Sequence, residues 1–143
     1  MITKAQIGRA GELVQQRLLL YSYDSSLMTT DSGIDMVVFS ARKKKARTIQ
    51  VKTNLKPKPA GGKGRPSLNL WIDDKSTADI VALVDLSTDR IWLFTGKEIR
   101  KLAQQHSSNR YQLYFHTDGV PSKSHASAFH QHLFDRKVHK LFS

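Results

Sequence analysis

With 143 residues, 39% of them hydrophobic and 24% charged, the chain has the size and composition of one globular domain rather than a disordered segment. It holds no cysteine, which excludes disulfides and thiolate metal sites, and no apolar run approaches the ~20 residues that a membrane-spanning helix needs. Lys and Arg number 23 against 12 acids, a net charge of +11 that attracts polyanions, nucleic acid first among them.

The opening residues lack the charged-then-apolar layout of a signal peptide, so a cytoplasmic location is expected. Residues 3–21 are predicted to form a helix capped by Thr3. Ile7, Ala10, Gly11, Val14, Leu18 and Tyr21 recur at three- and four-residue steps along one buried stripe, and Glu12 lies off it. Residues 24–33 read as a polar, turn-rich connection. Residues 34–39 form a short apolar strand with Asp35 near its start, and residues 48–53 return beside it. Between them Arg42, Lys43, Lys44 and Lys45 make a basic hairpin tip.

Residues 54–66 contain three prolines, three glycines and the cations Lys56, Lys58, Lys63 and Arg65, the pattern of a mobile loop. Strands are predicted at 67–72, 78–86 and 90–95, with a hairpin turn at 87–89 between the last two. A helix over 96–106, a strand over 111–116 and a closing helix over 122–142 complete the chain. The succession is that of an α/β or α+β sandwich around a central sheet, and the α/β class is the one expected.

The pair of strands at 34–39 and 48–53 carries the chemistry. Gln50 and Lys52 are two residues apart, so both leave one sheet face while Val51 points to the other. Asp35 on the adjacent strand adds a carboxylate. Hard oxygen donors with only one or two carboxylates suit Mg²⁺, which polarises phosphate oxygens and acidifies water. Lys52 is suited to orienting that water or to neutralising charge that develops on a phosphate during attack.

The series Gly8-Arg9-Ala10-Gly11-Glu12, Ile34-Asp35 and Gln50-Val51-Lys52-Thr53 resembles the PD-(D/E)XK nuclease superfamily. It is most similar to the superfamily's small members, such as Holliday-junction resolvases and homing endonucleases. The resemblance implies a restriction-endonuclease-like core, a central mixed β-sheet flanked by helices. It implies Glu12 as a helix-borne acid, Asp35 as the central metal ligand, Gln50 as a variable ligand beside the Val51 carbonyl, and Lys52 as the catalytic lysine. Ile34 stands where the motif has proline, a position without chemistry. Gln50 replaces the more usual acid and removes one negative charge from the metal site.

The expected activity is therefore that of a DNA endonuclease using Mg²⁺, with Mn²⁺ as a substitute, and acting as a dimer or higher homo-oligomer. The basic tip at Arg42, Lys43, Lys44 and Lys45 and the cations Lys56, Lys58, Lys63 and Arg65 are candidate phosphate contacts. The glutamine keeps a second reading open, a DNA-binding protein or accessory subunit that retains the fold without activity. His125, His132 and His139 recur every seven residues, too widely spaced along a helix to share one ion, and are expected at the surface. Trp71 and Trp92 are expected in core or interface rather than as base-stacking platforms.

Overall fold

The computed structural model describes residues 1–29, 33–40, 45–59, 64–117 and 129–143 of the chain. Helix α1 spans Lys4–Leu20. The Thr3 hydroxyl accepts from the Gln6 N–H, and the Gln6 side chain accepts from the Thr3 N–H. Such a reciprocal cap contributes about 1 kcal/mol. The helix ends where Ser22 adopts a left-handed φ of 66°, with its N–H on the Leu19 carbonyl. Ala10, Val14 and Leu18 are buried as expected, whereas Ile7 is 49% exposed, because the helix buries its stripe only from Ala10 onward.

Five strands form the central sheet: β1 (Asp24–Leu27), β2 (Met36–Ser40), β3 (Lys45–Asn54), β6 (Ile80–Asp85) and β7 (Arg90–Thr95), in the order β1-β2-β3-β6-β7. Only β3 and β6 run parallel. Their register is pinned by a reciprocal pair: the Thr48 N–H donates to Asp79 Oδ2 at 2.9 Å, and the Asp79 N–H donates to Thr48 Oγ1 at 2.9 Å. The β6–β7 turn is held by buried Asp85, whose carboxylate accepts from the Ser87 N–H and from the hydroxyls of Ser87 and Thr88. A second, antiparallel sheet joins β4 (Lys58–Pro59), β5 (Pro66–Asp73), β9 (Arg110–His116) and β8 (Gln105–Ser107), in the order β4-β5-β9-β8. Helices α2 (Gly96–Leu102) and α3 (Phe134–Phe142) complete the elements assigned among the described residues.

Alternation along β6 divides the core in two. Ile80, Ala82 and Val84 pack with Ala10, Val14 and Leu18 of α1 and Phe134, Val138 and Phe142 of α3. Val81 and Leu83 face the other way, onto Leu68, Leu70 and Ile72 of β5, Leu113 and Phe115 of β9, and Ile99 of α2. One face of the mixed sheet is thus covered by helices. The other is covered by the second sheet with α2 beside it. On β3, Ile49 and Val51 join the helical side, which sends Gln50 and Lys52 to the side of the second sheet.

Several elements differ from the sequence reading. Residues 24–27, taken as part of a turn, form edge strand β1; an edge strand exposed along most of its length carries the polar composition of a loop. Within the expected loop at 54–66, Lys58–Pro59 pairs with Pro66–Ser67 as β4. The helix expected over 96–106 stops at Leu102, and 105–107 becomes β8, returned to β9 by Ser108 and Asn109 at φ 53° and 62°. Residues 122–128 of the expected closing helix lie outside the described residues, and among those described the helix is interrupted at 131–133. There the His132 carbonyl accepts from the Leu93 N–H at 2.7 Å and Leu133 bridges Trp92, so backbone committed to the β7 edge cannot continue a helix.

Candidate active site

Asp35 immediately precedes β2, and its backbone N–H donates to the Ile49 carbonyl at 2.8 Å. This continues the β2–β3 ladder by one step. Strand β2 begins opposite Ile49, so among the described residues the β3 edge beyond Ile49 has no neighbouring strand on the β2 side. Asp35 occupies the vacated position. Its Oδ2 accepts from the Val51 N–H at 2.6 Å, a short charge-assisted bond, while Oδ1 has no partner among the described residues. A strand residue directs its N–H and C=O to the same edge, so the Val51 carbonyl leaves toward Asp35 as well.

Gln50 and Lys52 flank this point on β3, and both are half-buried. The Ser76 hydroxyl donates to Gln50 Oε1 at 3.1 Å. Ser76 is held by the turn after β5, where its N–H meets the Asp73 carbonyl and the Lys75 N–H meets Asp73 Oδ1. An amide oxygen has two lone pairs, so one remains for another partner. Burial lowers the Lys52 pKa below the ordinary lysine value, and the Arg110 charge adds to that effect. Asp35 and Asp73 oppose it. The Lys52 ammonium therefore sits in the combined field of Asp35, Asp73 and Arg110.

Of the residues expected at the site, Asp35, Gln50, Val51 and Lys52 stand together along the β3 edge. Glu12 is exposed on α1, and no hydrogen bond or ion pair joins it to them. Among the described residues no three His, Asp or Glu side chains gather into a metal-binding group. That does not conflict with Mg²⁺, which takes one or two carboxylates and completes its shell with neutral oxygens. Asp73, Ser76 and Arg110 were not anticipated. Nothing local marks them, since they lie more than 20 residues from Lys52; packing of the second sheet against β3 brings Ser76 to Gln50 and the charges of Asp73 and Arg110 to Lys52.

Lys45 opens β3 and is exposed, as are Lys56 and Lys58, and Arg65 is half-buried beside β5. Arg42, Lys43, Lys44 and Lys63 lie outside the described residues. His139 is exposed and its Nδ1 lies 3.0 Å from the Tyr23 hydroxyl, but His132 is buried against Phe94, contrary to the surface position expected of it. His125 lies outside the described residues. Trp92 is core, and half-buried Trp71 lies beneath the Arg110 guanidinium at 4.8 Å.

No protein-family model matches the sequence, and no curated protein matches it. Among solved structures, the bacterial homing endonuclease I-Ssp6803I superposes with a TM-score of 0.67 over 99% of this chain and 91% of that one, at 14% identity. The two chains share a fold. The mixed sheet with helices on one face agrees with the central mixed β-sheet flanked by helices that the sequence implied. No helix among the described residues is long and apolar enough to cross a membrane.

Proposed function

We infer that the protein is a DNA endonuclease that hydrolyses phosphodiester bonds at the exposed edge of β3. The observation that carries the reading is the seating of the Asp35 carboxylate on the Val51 N–H, between Gln50 and Lys52. The shared fold with a homing endonuclease and the charge of +11 support it. In this reading the chain belongs with PD-(D/E)XK nucleases.

Asp35 Oδ1, the Val51 carbonyl and the Gln50 amide oxygen are the groups that would hold Mg²⁺ or Mn²⁺, a hard-oxygen set that suits either ion. Such an ion, when bound, supplies Lewis-acid charge neutralisation and acidifies water. The protein's own contribution is positional. Val51 fixes one carboxylate oxygen of Asp35 and so aims the other away from the strand. Ser76 fixes the Gln50 amide. Lys52, less strongly hydrated than a surface lysine, offers a positive charge where a phosphate gains negative charge during attack. Glu12, exposed on α1, is proposed as an auxiliary acid. Lys45, Lys56, Lys58 and Arg65, with Arg42, Lys43, Lys44 and Lys63, are proposed to hold the backbone on either side. Each chain offers one such edge, so cutting both strands calls for a homo-oligomer. A cytoplasmic, membrane-free setting goes with this reading.

Nicking of supercoiled plasmid by the purified protein, with Mg²⁺, Mn²⁺ or EDTA, tests the inference. Metal-dependent nicking that Lys52→Ala abolishes is expected. DNA binding without nicking in either metal would leave the alternative, a non-cleaving DNA-binding protein.

A further inference from the structure

The outer face of the second sheet is polar and lies beside the candidate site. Cross-strand register places Asn69 opposite Tyr114, Trp71 opposite Gln112, and Gln112 opposite Gln105, all directed away from the core that Leu68, Leu70, Leu113 and Phe115 fill. Among the described residues the sheet is two strands wide at 68–70 and 113–115, because β4 pairs at one end of β5 and β8 at the other end of β9. The free edges there are closed by side chains rather than strands. Asn54 Nδ2 donates to the Asn69 carbonyl at 2.8 Å, and the Asn69 N–H donates to Asn54 Oδ1 at 3.3 Å. On the other edge, Gln104 Nε2 donates to the Tyr114 carbonyl at 2.7 Å and its Oε1 accepts from the Tyr114 N–H at 3.1 Å. Edges satisfied in this way do not recruit a further strand.

Amide side chains occupy the middle of this ribbon beside Trp71 and Tyr114. Gln112 Nε2 donates to Asn69 Oδ1 at 3.2 Å, which leaves Asn69 Nδ2 as a donor and Gln112 Oε1 as an acceptor without partners among the described residues. A donor and an acceptor held side by side match what base edges display in the major groove, which is wide enough for a two-stranded ribbon. Asn69, Gln112, Gln105 and Tyr114 line a cleft of roughly 540 Å³ together with Lys58, at one end. Arg110, stacked on Trp71, stands at the other end of the ribbon and acts electrostatically on Lys52. Amides lie in the middle, Lys58 toward one end and Arg110, opposite Asp73, toward the other, so that a cation flanks the amides on each side as a base-reading surface between two lines of phosphate requires.

We propose that the outer face of β5 and β9 enters the major groove of duplex DNA, where Asn69, Gln105 and Gln112 read base edges while Lys58 and Arg110 hold the flanking phosphates. This rests on the nuclease reading for its direction, since the Asn54–Asn69 contact joins the strand that carries Lys52 to the edge of this face. It adds that the protein discriminates sequence, and that the residues responsible are separate from those that cut.

The experiment is selection of bound duplexes from a randomised library in EDTA, with full-length wild type, Gln112→Ala, Gln105→Ala and Lys58→Ala. Wild type should enrich a motif. Gln112→Ala and Gln105→Ala should each lose preference at one or two adjacent positions, with affinity for the best site reduced roughly ten- to a hundredfold. Lys58→Ala should weaken all sequences alike and leave the motif unchanged. Thermal unfolding of each variant verifies that it is folded, and two glutamines at separate positions keep the test decisive if one variant is not. An unchanged motif in both glutamine variants, no motif in wild type, or tighter binding to single-stranded RNA than to duplex DNA overturns the proposal. The nuclease reading is judged separately by plasmid nicking in Mg²⁺. Nicking with an unaltered motif removes the reading face alone, and a motif without nicking removes the nuclease alone.

Discussion

The carboxylate of Asp35 accepts a 2.6 Å hydrogen bond from the backbone N–H of Val51, the residue between Gln50 and Lys52. Because one oxygen is fixed by the strand, the other has a defined direction. Asp35→Asn keeps the shape and an acceptor for Val51 but removes the charge. Its nicking rate should fall by at least about a hundredfold, while DNA affinity, set by phosphate contacts elsewhere, changes little. Gel-based nicking beside fluorescence anisotropy on one duplex separates the two quantities. Wild-type cleavage by the variant would remove Asp35 from the chemistry.

Gln50 offers a neutral oxygen that already accepts from Ser76. Gln50→Glu adds a negative charge at the same distance from an ion, so the Mg²⁺ concentration for half-maximal nicking should fall, by roughly tenfold for one added carboxylate. The Ser76 hydroxyl would donate to the carboxylate as it does to the amide. Loss of activity in Gln50→Glu would mean that the amide acts as a donor rather than a ligand.

The depressed pKa of Lys52 gives a test by pH. If the ammonium is the working form, nicking declines on the alkaline side as pH rises through that pKa. Asp73 raises the value, so Asp73→Asn should move the decline to lower pH. Arg110 lowers it, so Arg110→Gln should move the decline upward. Rate profiles at low ionic strength, where exposed charges are least screened, measure both. Shifts in the same direction would show that some other group titrates.

Cations of the 54–66 segment should govern the salt dependence of binding. Neutralising Lys56, Lys58, Lys63 and Arg65 together should flatten the slope of log affinity against log salt, by roughly 0.9 for each phosphate that the protein then leaves to its counterions. An identical slope would place the segment off the DNA path.

A buried network joins α2 to α3. Lys137 Nζ donates to both oxygens of Glu98, at 2.6 and 2.7 Å, and lies 3.2 Å from His132 Nδ1. Lys137→Met removes the ion-pair partner of partly exposed Glu98, which keeps the Thr95 N–H, and should cost about 1–2 kcal/mol. Burial first, and Lys137 second, push the His132 pKa down, so the unfolded chain takes up this proton before the folded one. The contribution is retained above the ordinary histidine pKa of about 6.5 and lost as pH falls below it. Burial pushes the Glu98 carboxyl up, but the Lys137 and Thr95 contacts outweigh it and hold the pKa below its ordinary value, so the loss continues in stronger acid. Thermal unfolding across this range should show a smaller acid loss in His132→Gln than in wild type.

Local periodicity determined a good deal by itself. That Gln50 and Lys52 share one face opposite Val51 follows from the two-residue repeat of a strand, whatever lies beside it. The Thr3 cap, the apolar runs of β6 and β7, and their hairpin at 87–89 are likewise local, and each was legible. Tertiary structure decided what local pattern does not encode: which surface covers each face. The order β2-β3-β6, with β2 beginning at Met36, frees the β3 edge that Asp35 fills. Packing of the second sheet brings Ser76, Asp73 and Arg110 to Gln50 and Lys52 across separations that no sequence window spans. The same holds for the breaks. His132 and Leu133 have helical neighbours in sequence, but the open edge of β7 offers their backbone hydrogen bonds that a helix would forgo, and His132 is buried as a result.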